Sequence, residues 1–151
     1  MSNVLVEATK KKLQWQFKGA IKMSRNVCLY SKTAIKDQKS IDQQIKILKN
    51  FADQNGFKNI KIFVDNGVSG SAYERQEFKR LLKLIKSGEV SALIVKDISR
   101  LGRDFIEVTN LMNVTFPKYN VRLITVDGCI DSEKEVVFMP LHEMINLCNK
   151  D

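Results

Sequence analysis

The chain has 151 residues, of which 44% are hydrophobic, so one compact domain with a real core is expected. Twenty-five Lys and Arg against 17 Asp and Glu give a formal net charge of +8, which suits a polyanion such as nucleic acid but also fits simple solubility. No stretch approaches the length of about 20 apolar residues that a helix needs to span a bilayer. The N-terminus also lacks the apolar core of a signal peptide. A membrane protein and a secreted protein are therefore not expected.

The cysteines and the single histidine exclude the common metal and disulfide architectures. Cys28, Cys129 and Cys148 are odd in number, widely separated and without a C-x-x-C pair, which indicates neither a disulfide framework nor a zinc site. His142 is the sole histidine, so a His-based metal cluster is excluded, and its place in a predicted helix favours a structural role. We expect a protein of the reducing cytoplasm without a metal site.

Residues 1–25 form a basic segment that has neither a helical nor a strand period. Its cations surround Trp15 and Phe17 and are Lys10, Lys11, Lys12, Lys18, Lys22 and Arg25. We interpret this segment as an N-terminal arm, which lies either on DNA phosphates or on the surface of its own domain.

A regular pattern begins at Asn26. The short apolar run at 26–30 is typical of a buried strand. Ser40 and Gln43 form a predicted capping box at the start of an amphipathic helix that Gly56 ends, and a second apolar strand follows at 60–64.

The alternation of strands and helices continues after the loop that begins at Asp65. The remaining predicted elements are a helix with apolar residues at 78, 81, 82 and 85 that ends at Gly88, a strand at 92–95, a helix at 104–116 ended by Pro117, a strand at 121–126 and a last helix at 140–149. This order predicts an α/β fold with three layers, a mostly parallel sheet of four to five strands and helices on both faces.

Ligands of such folds meet the carboxyl ends of the strands. The segments that follow the predicted strands are 32–37, 65–75, 96–103 and 127–131. We therefore expect the functional residues among these four segments.

Arginines and one lysine are concentrated in two of these segments. Lys96, Arg100 and Arg103 fall within eight residues, and Arg75 follows the Gly-Ser loop. Guanidinium groups hold phosphate oxygens in a planar fork and stay charged, so this set is suited to binding a scissile phosphate. Weak surface ion pairs are the alternative interpretation.

Four motifs carry a resemblance to serine site-specific recombinases, the resolvases and invertases. Residues 99–104 read S-R-L-G-R-D, and residues 65–70 read D-N-G-V-S-G ahead of Arg75. Residues 38–44 are similar to the family's Q-x-S-L-x-x-Q helix entry. Residues 140–151 resemble the run that precedes the long dimerisation helix of the large serine recombinases of mobile elements. The motifs stand in the family's order and cover 26–151.

The resemblance implies a resolvase-like catalytic domain over 26–151, truncated before the dimerisation helix and the DNA-binding module. It implies active-site, phosphate-binding roles for Arg75, Arg100 and Arg103, with Lys96 assisting. The residues with implied supporting roles are Tyr30, Gln38, Gln44, Asp65, Ser69 and Ser99. In the family a serine attacks a DNA phosphodiester, forms a 5′-phosphoserine link and exchanges strands within a tetramer of recombinase subunits, without a metal or other cofactor.

The chain departs from the family at the end of the first strand. Active members read Y-x-R-x-S, whereas this chain places Lys32 at the arginine and Ala34 at the nucleophilic serine. A methyl group has no oxygen with which to attack phosphorus, and a lysine lacks the bidentate fork. Thr33 is a weak substitute because alternate residues of a strand face opposite sides, and Ser69 and Ser71 are typical turn residues.

Two functional hypotheses follow. The chain is either a catalytically silent recombinase domain that still binds DNA or recombinase subunits, or an active site-specific recombinase represented by a mutated or truncated catalytic domain. Lys32 favours natural loss of activity, because an engineered trap needs only the change at Ala34. A flavodoxin-like nucleotide-binding domain is disfavoured, because residues 30–38 contain no glycine to cradle a phosphate.

Overall fold

The computed structural model describes residue 10, residues 25–68 and residues 74–134. Several predictions lie outside the described residues. They are most of the basic arm, Ser69 and Ser71 of the Gly-Ser loop, Cys148, and the last helix with His142.

Four parallel strands form one sheet in the order β2-β1-β3-β4. The strands are β1 (Asn26–Thr33), β2 (Ile60–Asn66), β3 (Val90–Val95) and β4 (Arg122–Thr125). An antiparallel bridge between Ile124 and Asp131 adds a short return beside β4. The predicted α/β class and parallel sheet are confirmed, but β1 and β2 run two to three residues further than the apolar runs indicate. Their polar ends pair with each other, Lys32 with Asp65 and Thr33 with Asn66.

Helices cover both faces of the sheet, as the three-layer prediction requires. They are α1 (Gln38–Gln54), α2 (Gln76–Lys86) and α3, which begins as the α-helix Phe105–Asn110, widens into the π-helical turn Leu111–Thr115 and ends in the turn Phe116–Lys118. A short 3₁₀ turn, Ile98–Arg100, follows β3. None of the helices in the described part of the chain is long and apolar enough to cross a bilayer.

Two apolar clusters, one on each face of the sheet, hold the layers together. Leu48 of α1 packs with Val27 and Leu29 on one face, whereas Phe78 of α2 packs with Tyr30 on the other. Alternation of side chains along β1 produces this division. Each of these fully buried apolar side chains contributes roughly 1.5–3 kcal/mol of transfer free energy, so the core fixes the strand ends that position the site.

Helix α1 begins differently from the prediction. Its N-cap is Asp37, whose carboxylate accepts a hydrogen bond from the Ser40 backbone N–H at 3.0 Å. The predicted capping box between Ser40 and Gln43 is therefore wrong, because Ser40 already lies within the first turn. The end is as predicted, since the helix stops at Gln54 and Gly56 adopts φ +72°.

Helix α3 continues past the residue at which it was predicted to stop. Asp104 caps its start by accepting hydrogen bonds from the N–H groups of Ile106 at 2.9 Å and Glu107 at 3.1 Å. Pro117 has no N–H to donate, and its ring crowds the carbonyl one turn earlier. The π-helical turn before it relieves this crowding, so the helix runs on to Lys118.

The two ends of the described domain are anchored by arginines. Arg25, assigned to the arm from sequence, donates to the carbonyl oxygens of Val90 and, at 2.9 Å, Tyr119, so this residue contacts the domain. Arg122 binds both carboxylate oxygens of Asp131 at 2.8 and 2.9 Å, and this hydrogen bonding lowers the pKa of Asp131. The return segment is thereby held against β4.

The cysteines differ in state. Cys28 is a free, buried thiol on β1, and burial raises its pKa to about 12, so it stays protonated and unreactive at neutral pH. Cys129, in the return segment after β4, is disulfide-bonded. The expectation that the cysteines form no disulfide is therefore wrong for Cys129.

Candidate active-site edge

The predicted segments after β1, β2 and β3 meet at one edge of the sheet. Arg100, in the turn after β3, donates through Nη1 to the backbone oxygen of Lys32 at 2.8 Å. Lys32 in turn pairs in register with Asp65 of β2. Asp65 and Arg100, which are distant from Lys32 in the sequence, are thus brought to the end of β1.

Arg75 lies beneath this edge, with 0% of its surface exposed. Its Nη1 donates to the Tyr30 hydroxyl at 3.1 Å and to the Arg100 carbonyl at 2.9 Å, and its Nη2 donates to the Leu101 carbonyl. The guanidinium carbon stands 4.4 Å from the centre of the Phe78 ring. These groups make Arg75 a brace for the turn that carries Arg100, while a phosphate-binding role for Arg75 stays a prediction.

Tyr30 and Asp65 complete the buried polar network around Arg75. The Tyr30 hydroxyl donates to Asp65 Oδ2 at 2.8 Å. Asp65 also accepts from the N–H groups of Glu77 at 3.1 Å and Phe78 at 3.0 Å, which satisfies the start of α2. Burial raises the pKa of Tyr30, so its hydroxyl remains protonated at neutral pH. The network is a rigid support for the strand ends.

The cations gather around Lys32, which is buried with 7% of its surface exposed. Burial lowers the pKa of Lys32, and the positive charges of Arg75, Arg103 and Arg100 lower it further, whereas Asp65 opposes this change. Arg103 is exposed and Lys96 is half-buried. Mutual repulsion among these charges favours the binding of an anion between the cations.

Replacing Lys32 by methionine is expected to raise the free energy of unfolding at neutral pH by about 1 kcal/mol, because it removes a charge that burial disfavours. The folded-state pKa of Lys32 is lowered, so the cost of its charge is fully present below that pKa. The cost disappears as the pH rises towards the unfolded-state pKa of about 10.4.

Urea unfolding at about pH 7 and about pH 10 tests this prediction, and the advantage of Lys32→Met should shrink at the higher pH. Lys39→Met is the matched control, because Lys39 is exposed on the first turn of α1 and its charge carries no such cost. A Lys32→Met protein no more stable than the unaltered protein at neutral pH would contradict the account of this cluster.

Asn66 joins the end of β1 to α1, a role that the sequence analysis missed. Its Oδ1 accepts from Thr33 Oγ1 at 2.8 Å and from the Asp37 N–H at 2.9 Å, and its Nδ2 donates to Gln38 Oε1 at 3.3 Å. The next residue, Gly67, has φ +78°, and a Cβ there would stand 3.0 Å from Lys36. The glycine of the loop motif therefore permits close passage of two backbone segments.

Asp97 is the second residue that the sequence analysis missed. It accepts from the N–H of Ser99 at 3.0 Å and from the Ser99 hydroxyl, and its carboxylate lies 3.5 Å from Arg100 Nε. Ser99 therefore stabilises the turn that orients Arg100. An aspartate two residues before a serine at a strand end is the sequence signal for this turn.

Ala34, at the position of the expected nucleophile, is exposed directly after β1. The neighbouring hydroxyls are engaged elsewhere. Ser31 donates at 2.8 Å to Gln44 Oε1 on the α1 side of the sheet, and Gln44 is itself buried there. Thr33, besides donating to Asn66, accepts from the Gly67 N–H at 3.2 Å. Predicted site residue Gln44 thus lies on the opposite face from Tyr30 and Asp65.

The edge offers fixed positive charge for binding an anion. Among the described residues, no group of three or more His, Cys, Asp or Glu side chains is placed to hold a metal ion. The edge instead presents fixed guanidinium and ammonium groups around the end of β1. Such groups stabilise the charge of a bound phosphodiester.

Comparison with known proteins identifies a family and similar recombinases. Residues 27–148 match the family model described as "Resolvase, N terminal domain". The chain is 31% identical over 99 residues to the Transposon Tn3 resolvase of Escherichia coli, covering 66% of this chain and 49% of that protein. It is 33% identical over 96 residues to a resolvase/recombinase of Pseudomonas putida, covering 64% and 49%. The chain therefore spans about half the length of these curated relatives.

Solved structures agree. The N-terminal catalytic domain of TP901-1 integrase superposes with a TM-score of 0.65 at 25% identity, covering 82% of this chain and 91% of that one. A resolvase family site-specific recombinase from Streptococcus pneumoniae gives a TM-score of 0.66 at 29% identity, covering 82% and 86%.

Proposed function

We propose, since this chain belongs to the resolvase N-terminal domain family of serine recombinases, that it is a catalytically silent member. It binds the DNA backbone or recombinase subunits without cutting DNA. The observation that carries the proposal is Ala34, which stands without a hydroxyl beside the cations gathered around Lys32. A cationic edge is retained while the attacking oxygen is absent.

The hydroxyls closest in sequence support this proposal, because each has another task. Ser31 is fully buried and bonded to Gln44 on the α1 side. Thr33 is bonded to Asn66 at the joint between β1 and α1. Tyr30 is fully buried, and its raised pKa keeps it protonated. Moving any of them onto a phosphorus atom would break a buried or partly buried hydrogen bond, and a misplacement of about 1 Å already costs on the order of a hundredfold in rate.

DNA is the proposed ligand because of the charge at the edge. Arg103 is exposed, Arg100 and Lys96 are half-buried, and the whole chain carries a net charge of +8. Contacts of this kind read phosphates rather than bases, so binding is expected to be weakly sequence-specific and sensitive to salt. A DNA substrate fits a cytoplasmic protein of a mobile element, which acts as a remnant or as an inhibitor of active subunits. The disulfide at Cys129 is the observation that does not fit a reducing cytoplasm.

An active site-specific recombinase is the second candidate. The intact support beneath the edge favours it, because the hydrogen bonds among Tyr30, Asp65 and Arg75 keep Arg100 in place at the end of β1. In this case activity would require a serine at position 34 in the functional form. The two candidates share the fold and differ only in whether a covalent intermediate forms.

The unaltered protein is expected to retain duplex DNA at low salt and to leave no covalent adduct after denaturation. Duplexes selected from a random pool by retention on the protein supply the substrate, and a denaturing gel reports any adduct. Arg103→Gln is the binding control and should weaken retention, because it removes an exposed cation of the edge. A denaturant-resistant adduct with the unaltered protein would refute catalytic silence, whereas no retention at low salt would refute DNA binding.

A further inference from the structure

A second cluster of positive charge covers the outer surface of α2 and the neighbouring strand β2. Its members, which we call the α2 stripe, are Lys61, Lys79, Arg80, Lys83 and Lys86. All five residues are exposed. Helix α2 carries four cations and one carboxylate, Glu77, among its 11 residues. None of these cations belongs to the edge at which β1 ends.

The stripe is one continuous surface. Lys79, Lys83 and Lys86 lie four and three residues apart, which places them on the same face of the helix. Lys61 points to the same side of the sheet as Phe63, and both residues line a groove of about 290 Å³. The charged residues of this groove are Lys61, Arg80, Lys83 and one carboxylate, Glu89. Helix and strand therefore contribute to a single basic surface.

The stripe begins beside the candidate active-site edge. Asp65 caps the first N–H groups of α2, so the helix starts at the carboxyl edge of the sheet and its last residue lies near the amino edge. An 11-residue helix is about 16 Å long. Counted over both strands at one charge per about 1.7 Å, a duplex segment of this length carries roughly nine phosphate charges.

Helix α1, on the other face, provides the contrast. It also has three exposed lysines, Lys39, Lys46 and Lys49, but two aspartates, Asp42 and Asp53, are distributed among them. A solvated helix surface commonly mixes the two signs in this way. The predominance of one sign on α2 therefore has to be explained by more than solubility.

We propose that the α2 stripe is a second track for the DNA backbone, continuous with the edge at which Ala34 lies. The inference rests on the proposed DNA-binding function and extends it to the face of α2. Four of the five cations are lysines, which bind phosphate as mobile point charges and do not fix a register on the duplex. The track therefore adds affinity and salt dependence without sequence specificity. Arg80 is turned over the Phe63 ring and paired with Glu77 at 2.9 Å, so the lysines carry most of the contact.

The test compares two triple variants with the same change in charge, K79Q/K83Q/K86Q on α2 and K39Q/K46Q/K49Q on α1. Binding of a duplex of about 30 base pairs and arbitrary sequence is measured between about 50 and 200 mM salt. The α2 triple is expected to lose about 10- to 100-fold in affinity and to lower the magnitude of the salt slope by about 2 to 3. The α1 triple is expected to change affinity only a few-fold.

Circular dichroism of both triple variants checks that they are folded. Both are expected to be folded, because all six lysines are exposed. Equal losses in both triples, or no loss in the α2 triple, would overturn the inference, and the second result would point to an acidic protein surface as the partner of α2. Arg103→Gln separates the two proposals. If Arg103→Gln weakens DNA binding while K79Q/K83Q/K86Q does not, the proposed DNA-binding function is supported and the second track along α2 is refuted.

Discussion

Replacing Arg75 by methionine is expected to lower the free energy of unfolding by about 3 to 5 kcal/mol. The methionine fills much of the same space but donates no hydrogen bond. The Tyr30 hydroxyl and the carbonyl oxygens of Arg100 and Leu101 would each lose the bond that Arg75 now donates. Asp65, which is buried beside Tyr30, would lose the neighbouring positive charge. Uncompensated burial of these groups makes the loss large.

Urea unfolding monitored by circular dichroism measures the effect, and a fall of about 10 °C in the melting temperature should accompany it. Arg80→Met on helix α2, which Arg75 immediately precedes, is the matched control. The Arg80 side chain is 67% exposed, and its ion pair with Glu77 is worth about 0 to 1 kcal/mol. Equal stability of the two variants would show that Arg75 is not the brace of the turn. Arg75→Lys should fall between them, because it keeps the charge and loses the fork.

The fold could be predicted from the sequence because its signals are local. Apolar runs of strand length alternate with helical spacing, and this order suffices for a parallel sheet with helices on both faces. The strand ends could not be predicted in the same way. Lys32, Thr33 and Asn66 are polar and carry no apolar signal, and they become strand residues only because β1 and β2 pair along their whole length. Pairing between distant segments overrides local composition there.

The candidate site was predicted in part. The motif at 99–104 and the rule that ligands meet carboxyl strand ends predicted the edge to which Arg100 comes. The burial of Arg75 had no local signal, because arginine is usually exposed and its burial depends on the Tyr30 hydroxyl and the Arg100 carbonyl, which are distant in sequence. Asn66 was missed for a similar reason, since its partners Thr33 and Asp37 precede it by about 30 residues.

Because we propose that the unaltered chain forms no covalent adduct with DNA, the double change K32R/A34S is expected to produce a protein that does form one. Position 34 is exposed directly beyond β1, so a serine there adds one oxygen to open space and leaves the packed residues undisturbed. Its Oγ would form a bond to phosphorus, and the bond from phosphorus to the 3′ oxygen would break. The serine hydroxyl would lose its proton, and the leaving 3′ oxygen would gain one. The DNA would remain joined through a 5′ phosphoserine link.

Single changes separate the contribution of the nucleophile at position 34 to adduct formation from that of the phosphate contact at position 32. K32R alone should leave no adduct, because it supplies no hydroxyl. A34S alone should form the adduct about 10- to 100-fold more slowly than the double variant, because Lys32 holds a phosphate as a point charge and lacks the second parallel hydrogen bond. Adding Arg103→Ala to the double variant should slow adduct formation by a similar factor if Arg103 contacts the reacting phosphate. Denaturing gels on DNA selected by retention measure all four proteins.

The outcome also distinguishes two accounts of the proposed loss of activity. Arg100 is held at the end of β1 by its bond to the Lys32 carbonyl, a contact to the backbone that is independent of the side chains at positions 32 and 34. If K32R/A34S forms the adduct, the hydrogen bonds among Tyr30, Asp65 and Arg75 still hold the edge in an arrangement that permits the reaction. If the double variant folds and binds DNA but forms no adduct, the cations are not arranged around an attacking position, and the edge has been reshaped for binding alone.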